Sequence, residues 1–210
     1  MTWKDITVFQ FQALSDIWLH AAERELVDVM VDVCCTCYGL TARQVDSLNL
    51  EQYKELCKGL EFLNDIPKWE PVKYVTVDGR RYRFLYDVRK IHSARCIEVK
   101  HFGSEDHGGF VANLHKLAAS MVIPQKRNRI GIWVDAKYDA LDHEDYANDI
   151  LQAPITAIHG SALFFCEVFK QLTISLKDYL TQTIPTKMQK EAQQILLHSC
   201  EIMDGPTMPQ

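Results

Sequence analysis

The sequence predicts a mainly α protein of the α+β class, a multi-helix domain carrying one small antiparallel β-hairpin. Three observations predict it. Apolar residues recur at spacings of three and four through most of the first 64 residues and again from Phe110 onward, which is the period of one helix face. Residues suited to helix N-termini stand before those stretches, at Thr7, Thr41, Asn49 and Asp142. And Asp78-Gly79 separates two short β-prone runs, Lys73 to Val77 and Arg80 to Phe84. That dipeptide accepts the positive φ angles of a type I′ turn, whose twist matches the flanking strands.

In order, Thr7 caps a helix carrying Val8, Phe11, Leu14, Ile17 and Trp18 on its apolar side. A second helix from about Ala22 carries Leu26, Val29, Met30, Val33 and Cys37, and stops at Tyr38-Gly39, where glycine takes the left-handed conformation of a helix end. Thr41 and Gln44 have the spacing of a capping box. Asn49 opens a further helix with Tyr53, Leu56, Leu60 and Leu63, so residues 5 to 64 read as four short helices. Pro67 and Pro71 end that pattern. The hairpin follows, and because a lone hairpin is marginal in water it must lie against helices or a partner chain. Ser93 to Phe102 predicts a short helix, 103–109 a loop, and Phe110 to Met121 a helix stopped by Pro124. Residues 125–141 read as a charged connector around Ile130-Gly131-Ile132-Trp133. Asp142 caps a helix running through Leu151. Pro154 suits the first turn of the next one, which carries Ile158, Ala162, Phe165, Phe169, Leu172 and Leu176. Pro185 ends it, and a last amphipathic segment covers Met188 to Ile202. The expected organisation is an N-terminal helical subdomain (1–66), the hairpin (67–92), a C-terminal helical subdomain (93–203) and a flexible tail (204–210).

Composition narrows the class. Hydrophobic residues make up 47% and charged residues 24% of 210, ordinary values for a chain that buries a core. The net charge of −5 argues against a dedicated nucleic-acid binder, and the basic clusters Arg80-Arg81-Tyr82-Arg83 and Lys126-Arg127-Asn128-Arg129 read as solvated turns or edge charges. No apolar run approaches the roughly 20 residues of a membrane span. Met1 to Asp5 has no signal-peptide pattern, and the seven cysteines show no framework spacing, so reduced thiols in a cytosol are expected.

Candidate chemistry is sparse. Cys34 and Cys37 form a C-x-x-C pair, but near the C-terminal end of an apolar helix, where the helix field disfavours a thiolate; they read as small buried hydrophobes. His101, His107, His115 and His143 with Glu144 supply donor atoms for a divalent metal, the basis of an alternative reading as a metal-dependent hydrolase. Their spacing matches no ligand motif, and Ala147 stands where a zinc-protease helix needs its second histidine. No serine-nucleophile, phosphate-loop or dinucleotide motif occurs, and no cofactor is expected. A third reading has Arg80 to Arg83 binding an acidic or nucleic-acid target. Phe9 and Phe11 flank Gln10, and Phe164 and Phe165 are adjacent, so in each pair one ring faces away from the side that the other buries.

The run Asp5-Ile6-Thr7-Val8-Phe9-Gln10-Phe11, the helix end Tyr38-Gly39-Leu40-Thr41, the hairpin at Asp78-Gly79 and the run Asp145 to Pro154 resemble a group of tailed-phage proteins from viruses of Bacteroidetes, including crAss-like phages. These are small virion or tail-assembly factors, some chaperone-like. The likeness follows element order over most of the chain and departs from it in the cysteine content and in residues 125–141. It implies a non-enzymatic protein that contacts phage head or tail components, or further copies of itself, in the bacterial host cytoplasm or the virion. Phe9, Phe11, Trp18, Phe164 and Phe165 are the expected contact residues.

Overall fold

Glutamines start three of the first four helices. In the computed structural model, which describes residues 1–65, 69–87, 91, 93–103 and 109–183, α1 (Val8–Leu19), α3 (Ala42–Asp46) and α4 (Leu50–Lys58) each open with a reciprocal capping box. Thr7, Thr41 and Asn49 accept the backbone N–H of Gln10, Gln44 and Gln52, and each glutamine carbonyl accepts from the cap residue's own N–H. Gln10 does more. Its Nε2 donates to the carbonyls of Thr36 (3.0 Å) and Cys37 (3.2 Å), in the last turn of α2 (Leu26–Tyr38). One side chain thus satisfies an orphan donor of one helix and two orphan acceptors of its neighbour, fixing the two side by side. As expected, α2 stops at Gly39, whose φ is +66°.

The hairpin forms as predicted, with Asp78 and Gly79 at φ 47° and 79° joining β1 (Tyr74–Val77) to β2 (Arg80–Phe84). It is not alone. Residues 125–141 are not merely a connector, because β3 (Val122–Arg127) pairs with β2 and β4 (Trp133–Asp135) pairs with β3, giving an antiparallel sheet of order β1-β2-β3-β4. Nor does Pro124 end a helix; it lies within β3, opposite Tyr82. Its carbonyl accepts from Ala136 (2.8 Å), so its nitrogen faces the same side, at the very end of the β3–β4 ladder, where the missing N–H forfeits a terminal bond and no interior one.

The helices between the strand pairs are short: α5 (Ser93–Gly103), α6 (Gly109–Ala112) and α7 (Leu114–Ala119), the predicted Phe110 to Met121 helix being broken at Asn113. Then come α8 (His143–Leu151) and the long α9 (Ile155–Thr183). Asp142 precedes α8 without a side-chain capping bond, and Pro154 stands just before α9 rather than in its first turn. The α8–α9 joint is stitched to the start of α1, with Val8 N–H donating to the Ala153 carbonyl and Ile155 N–H to that of Ile6.

The core runs through all three predicted subdomains. Val29, Val33 and Cys34 of α2, Val75, Tyr82 and Phe84 of the sheet, and Leu114, Ile150, Ile158 and Phe165 of the later helices belong to one buried cluster. Among the described residues no helix is long and apolar enough to cross a membrane. The expected segment Met188 to Ile202, the tail, Pro67 and His107 lie outside the described residues.

Candidate binding surface

Of the candidate histidines, His143 and His115 are committed to packing. His143 is buried, stacked on Phe102 at 5.3 Å, with Nε2 3.0 Å from Ser120 Oγ and 3.1 Å from the Lys116 carbonyl. His115 Nδ1 meets Gln12 Nε2 at 3.0 Å; burial and the neighbouring Lys116 cation hold its imidazole below the ordinary histidine pKa. His101 lies edge-on to Phe102, and Glu144 is exposed on α8. Among the described residues no three histidine, cysteine or carboxylate side chains gather to hold a metal ion.

The thiols are equally quiet. Cys34 and Cys37 are buried on α2, as the sequence places them, and burial pushes them up to about 12 and about 11. Cys166 on α9 is likewise pushed up to about 12 by burial. A thiolate is the nucleophile, so these groups stay protonated and inert at neutral pH. The native protein should therefore react slowly with an aromatic disulfide reagent at Cys34, Cys37 and Cys166, and rapidly once unfolded. Prompt modification of any of the three, read by peptide mass, would contradict their burial.

The five aromatic candidates do not share one face. Phe165 is 1% exposed. Phe11 is half-buried among Trp3, Trp69 and His159. Phe9 and Trp18 are exposed, but nine residues apart on α1, which at 100° per residue puts them on opposite sides. Phe164 is exposed beside Tyr86, lining a groove of about 440 Å³ with Pro71, Leu85, Lys73 and Arg83.

Two surfaces escape a reading of spacing alone. Where α1 ends and α2 begins, Trp18 (49% exposed), Leu19 (78%), Leu26 (74%) and Val27 (66%) turn apolar side chains to solvent. Along the same stripes both helices bury Leu14, one turn before Trp18, and Val29 and Val33, beyond Leu26, so this end is not a failure of amphipathicity along the whole length. A signal was present in Trp18-Leu19 and Leu26-Val27, adjacent apolar pairs that no single helix face absorbs.

The second surface is the open face of the sheet. Strand alternation turns Val75, Tyr82 and Phe84 inward, and Tyr74, Arg81, Arg83, Gln125, Arg127, Trp133 and Asp135 outward. Arg83 grips Asp135 through Nε (3.0 Å) and Nη2 (2.6 Å), which holds that carboxyl below the usual range. Arg80, at the turn, instead pairs with Asp149 of α8 (3.1 Å), whose carboxylate also accepts from the Tyr82 hydroxyl. Arg81 lies 4.0 Å from the Tyr74 ring centre and 5.6 Å from that of Trp133, and Arg127 lies 5.0 Å from Trp133. The basic run Arg80 to Arg83 therefore splits: two of its arginines are paired with carboxylates, and the third sits among rings.

Compared with protein-family models, curated proteins and solved structures, the chain matches none.

Proposed function

We propose that this chain is a non-enzymatic protein that works by protein–protein contact, as a tail-assembly factor or a head or tail component of a phage particle. The observation that carries the reading is the apolar end of the α1–α2 pair, where Trp18, Leu19, Leu26 and Val27 are about half to four-fifths exposed. Contiguous exposed apolar side chains mark contact sites. Burying a leucine contributes about 2 kcal/mol, and a desolvated tryptophan anchor a similar amount. The engagement of His115, His143 and the buried thiols in packing supports contact over chemistry, and the likeness in element order to phage assembly factors supplies the class of partner. Acidic neighbours, Asp16, Glu23, Glu25 and Asp28, surround the apolar end and limit self-association.

The test uses the full chain, tagged, in cells producing the phage particle. The wild type recovers a head or tail protein, and the double variant Leu19→Glu, Leu26→Glu does not. Both positions are exposed, so the variant keeps its fold to within about 0.5 kcal/mol, which a melting curve verifies. Recovery of no head or tail protein by the wild type, or undiminished recovery by the double variant, contradicts the reading.

A further inference from the structure

We infer that the open face of the β-sheet is a binding site for single-stranded nucleic acid, with Tyr74 and Trp133 as stacking rings and Arg81, Arg127 and Lys73 as phosphate contacts.

Charge is the first argument. The two sheet segments, 73–84 and 122–135, carry seven cations (Lys73, Arg80, Arg81, Arg83, Lys126, Arg127 and Arg129) against two carboxylates, Asp78 and Asp135. That balance of +5 stands in a chain whose total is −5; on the open face itself the three cations Arg81, Arg83 and Arg127 stand against the one carboxylate Asp135, a local excess of +2. The expectation drawn from net charge does not carry over to this face, because a polyanion responds to the local field within about 10 Å.

Geometry is the second. Arg83 and Arg80 are spent on Asp135 and Asp149, but no carboxylate among the described residues lies in ion-pair range of Arg81, Arg127 or Lys73. Those three cations instead lie near aromatic rings: Arg81 near Tyr74 and Trp133, Arg127 near Trp133, Lys73 5.3 Å from Tyr74. Register explains the interleaving. Tyr74 pairs with Arg83 and Trp133 with Arg127, so on the outward face the rings fall on opposite diagonals of Arg81. An antiparallel sheet with arginines between outward rings lets unpaired bases stack while the cations follow the backbone. An acidic peptide would use the cations and leave the rings without a partner; duplex DNA keeps its base faces covered. Past Lys73 and Arg83 the groove beside Phe164 extends the track.

Fluorescence anisotropy of labelled 12-nucleotide oligo-dT and oligo-rU with the full chain tests this. Both bind at 50 mM salt, with a slope of log affinity against log salt of about −2, as expected for roughly three phosphate contacts on a single strand. Trp133→Ala weakens binding about tenfold, the loss of one stacked base. Arg81→Gln, which keeps a strand-compatible side chain, weakens it and makes the slope shallower by nearly one, while Lys54→Glu on exposed α4 changes neither. A duplex of the same length binds more weakly than either strand, and a poly-glutamate peptide competes poorly. The inference is overturned by any of four results: no binding at 50 mM salt, affinity unchanged in both Trp133→Ala and Arg81→Gln, a duplex bound as tightly as single strands, or poly-glutamate competing as well as oligo-dT.

Discussion

Gly160→Ala lowers the stability of the chain by about 2 kcal/mol, although the same change in an exposed helix interior raises it by about 1 kcal/mol. The sign is decided by what crosses α9 at this point. The segment Trp69 to Val72 lies against the helix so closely that a Cβ on residue 160 would meet the Glu70 carbonyl oxygen at 2.7 Å and its nitrogen at 2.8 Å. These are backbone atoms and cannot swing aside as a side chain would. The segment is also held from both sides: Val72 N–H donates to Ser161 Oγ (3.2 Å), and the Tyr86 hydroxyl sits between the Val72 carbonyl and that same oxygen. A methyl group must push the segment out, loosening those bonds and the Trp69 contacts with Trp3 and His159. Overpacking of this kind costs about 1–3 kcal/mol and more when backbone must move. Urea unfolding followed by tryptophan fluorescence measures it; an unchanged or raised midpoint would show that the segment yields freely.

His159→Phe makes the protein markedly more resistant to mild acid. His159 lies among rings, 4.3 Å from Trp69, 5.7 Å from Phe11 and 6.2 Å from Phe110, and its Nδ1 is buried without a hydrogen-bond partner among the described residues. Burial pushes its pKa down to about 4 from the ordinary 6.5. The folded state therefore holds a neutral imidazole where the unfolded chain takes up a proton. Above pH 6.5 this costs nothing. As pH falls from 6.5 to 4 the unfolded state binds the extra proton, stability declines, and the accumulated loss is about 3 kcal/mol. Phenylalanine suits the aromatic surroundings and does not titrate, so between pH 6.5 and 4.5 the variant should lose less stability than the wild type, part of its remaining decline coming from His115, whose imidazole is also held low. The carboxyls of Asp5 and Asp135, held low by bonds to Thr2 and Arg83, lose their contributions only as pH falls below 3.8, so they do not obscure the comparison. Melting curves of both proteins from pH 7 to 4.5 decide it; parallel declines would place the acid sensitivity elsewhere.

What the sequence made legible is what is encoded locally. The caps at Thr7, Thr41 and Asn49, the left-handed Gly39 and the Asp78-Gly79 turn each depend on residues within three or four positions, and each stands where spacing puts it. The β3–β4 pair was hidden for the opposite reason. Val122 to Arg127 contains a proline and two cations, poor strand formers, and is held by pairing with β2, about 40 residues earlier in the chain. The same holds for the surfaces. That Phe165 is buried and Phe164 exposed follows from helix geometry once the core side is known, but spacing alone does not say which of two adjacent rings goes in. The grouping of Tyr74, Arg81, Arg127 and Trp133 depends on the register of four strands, which no local pattern supplies. His159 showed no motif at all; only the convergence of Trp69, Phe11 and Phe110 makes it a titrating liability.

The claim on which the functional reading depends is that the exposed apolar end of α1 and α2 meets another protein. A photo-crosslinking amino acid placed at position 19, in cells producing the phage particle, tests it most directly, with the same group at exposed Glu61 as control. The account predicts an adduct with a head or tail protein from position 19 and none from position 61. Adducts from both positions alike, or from neither, would contradict it.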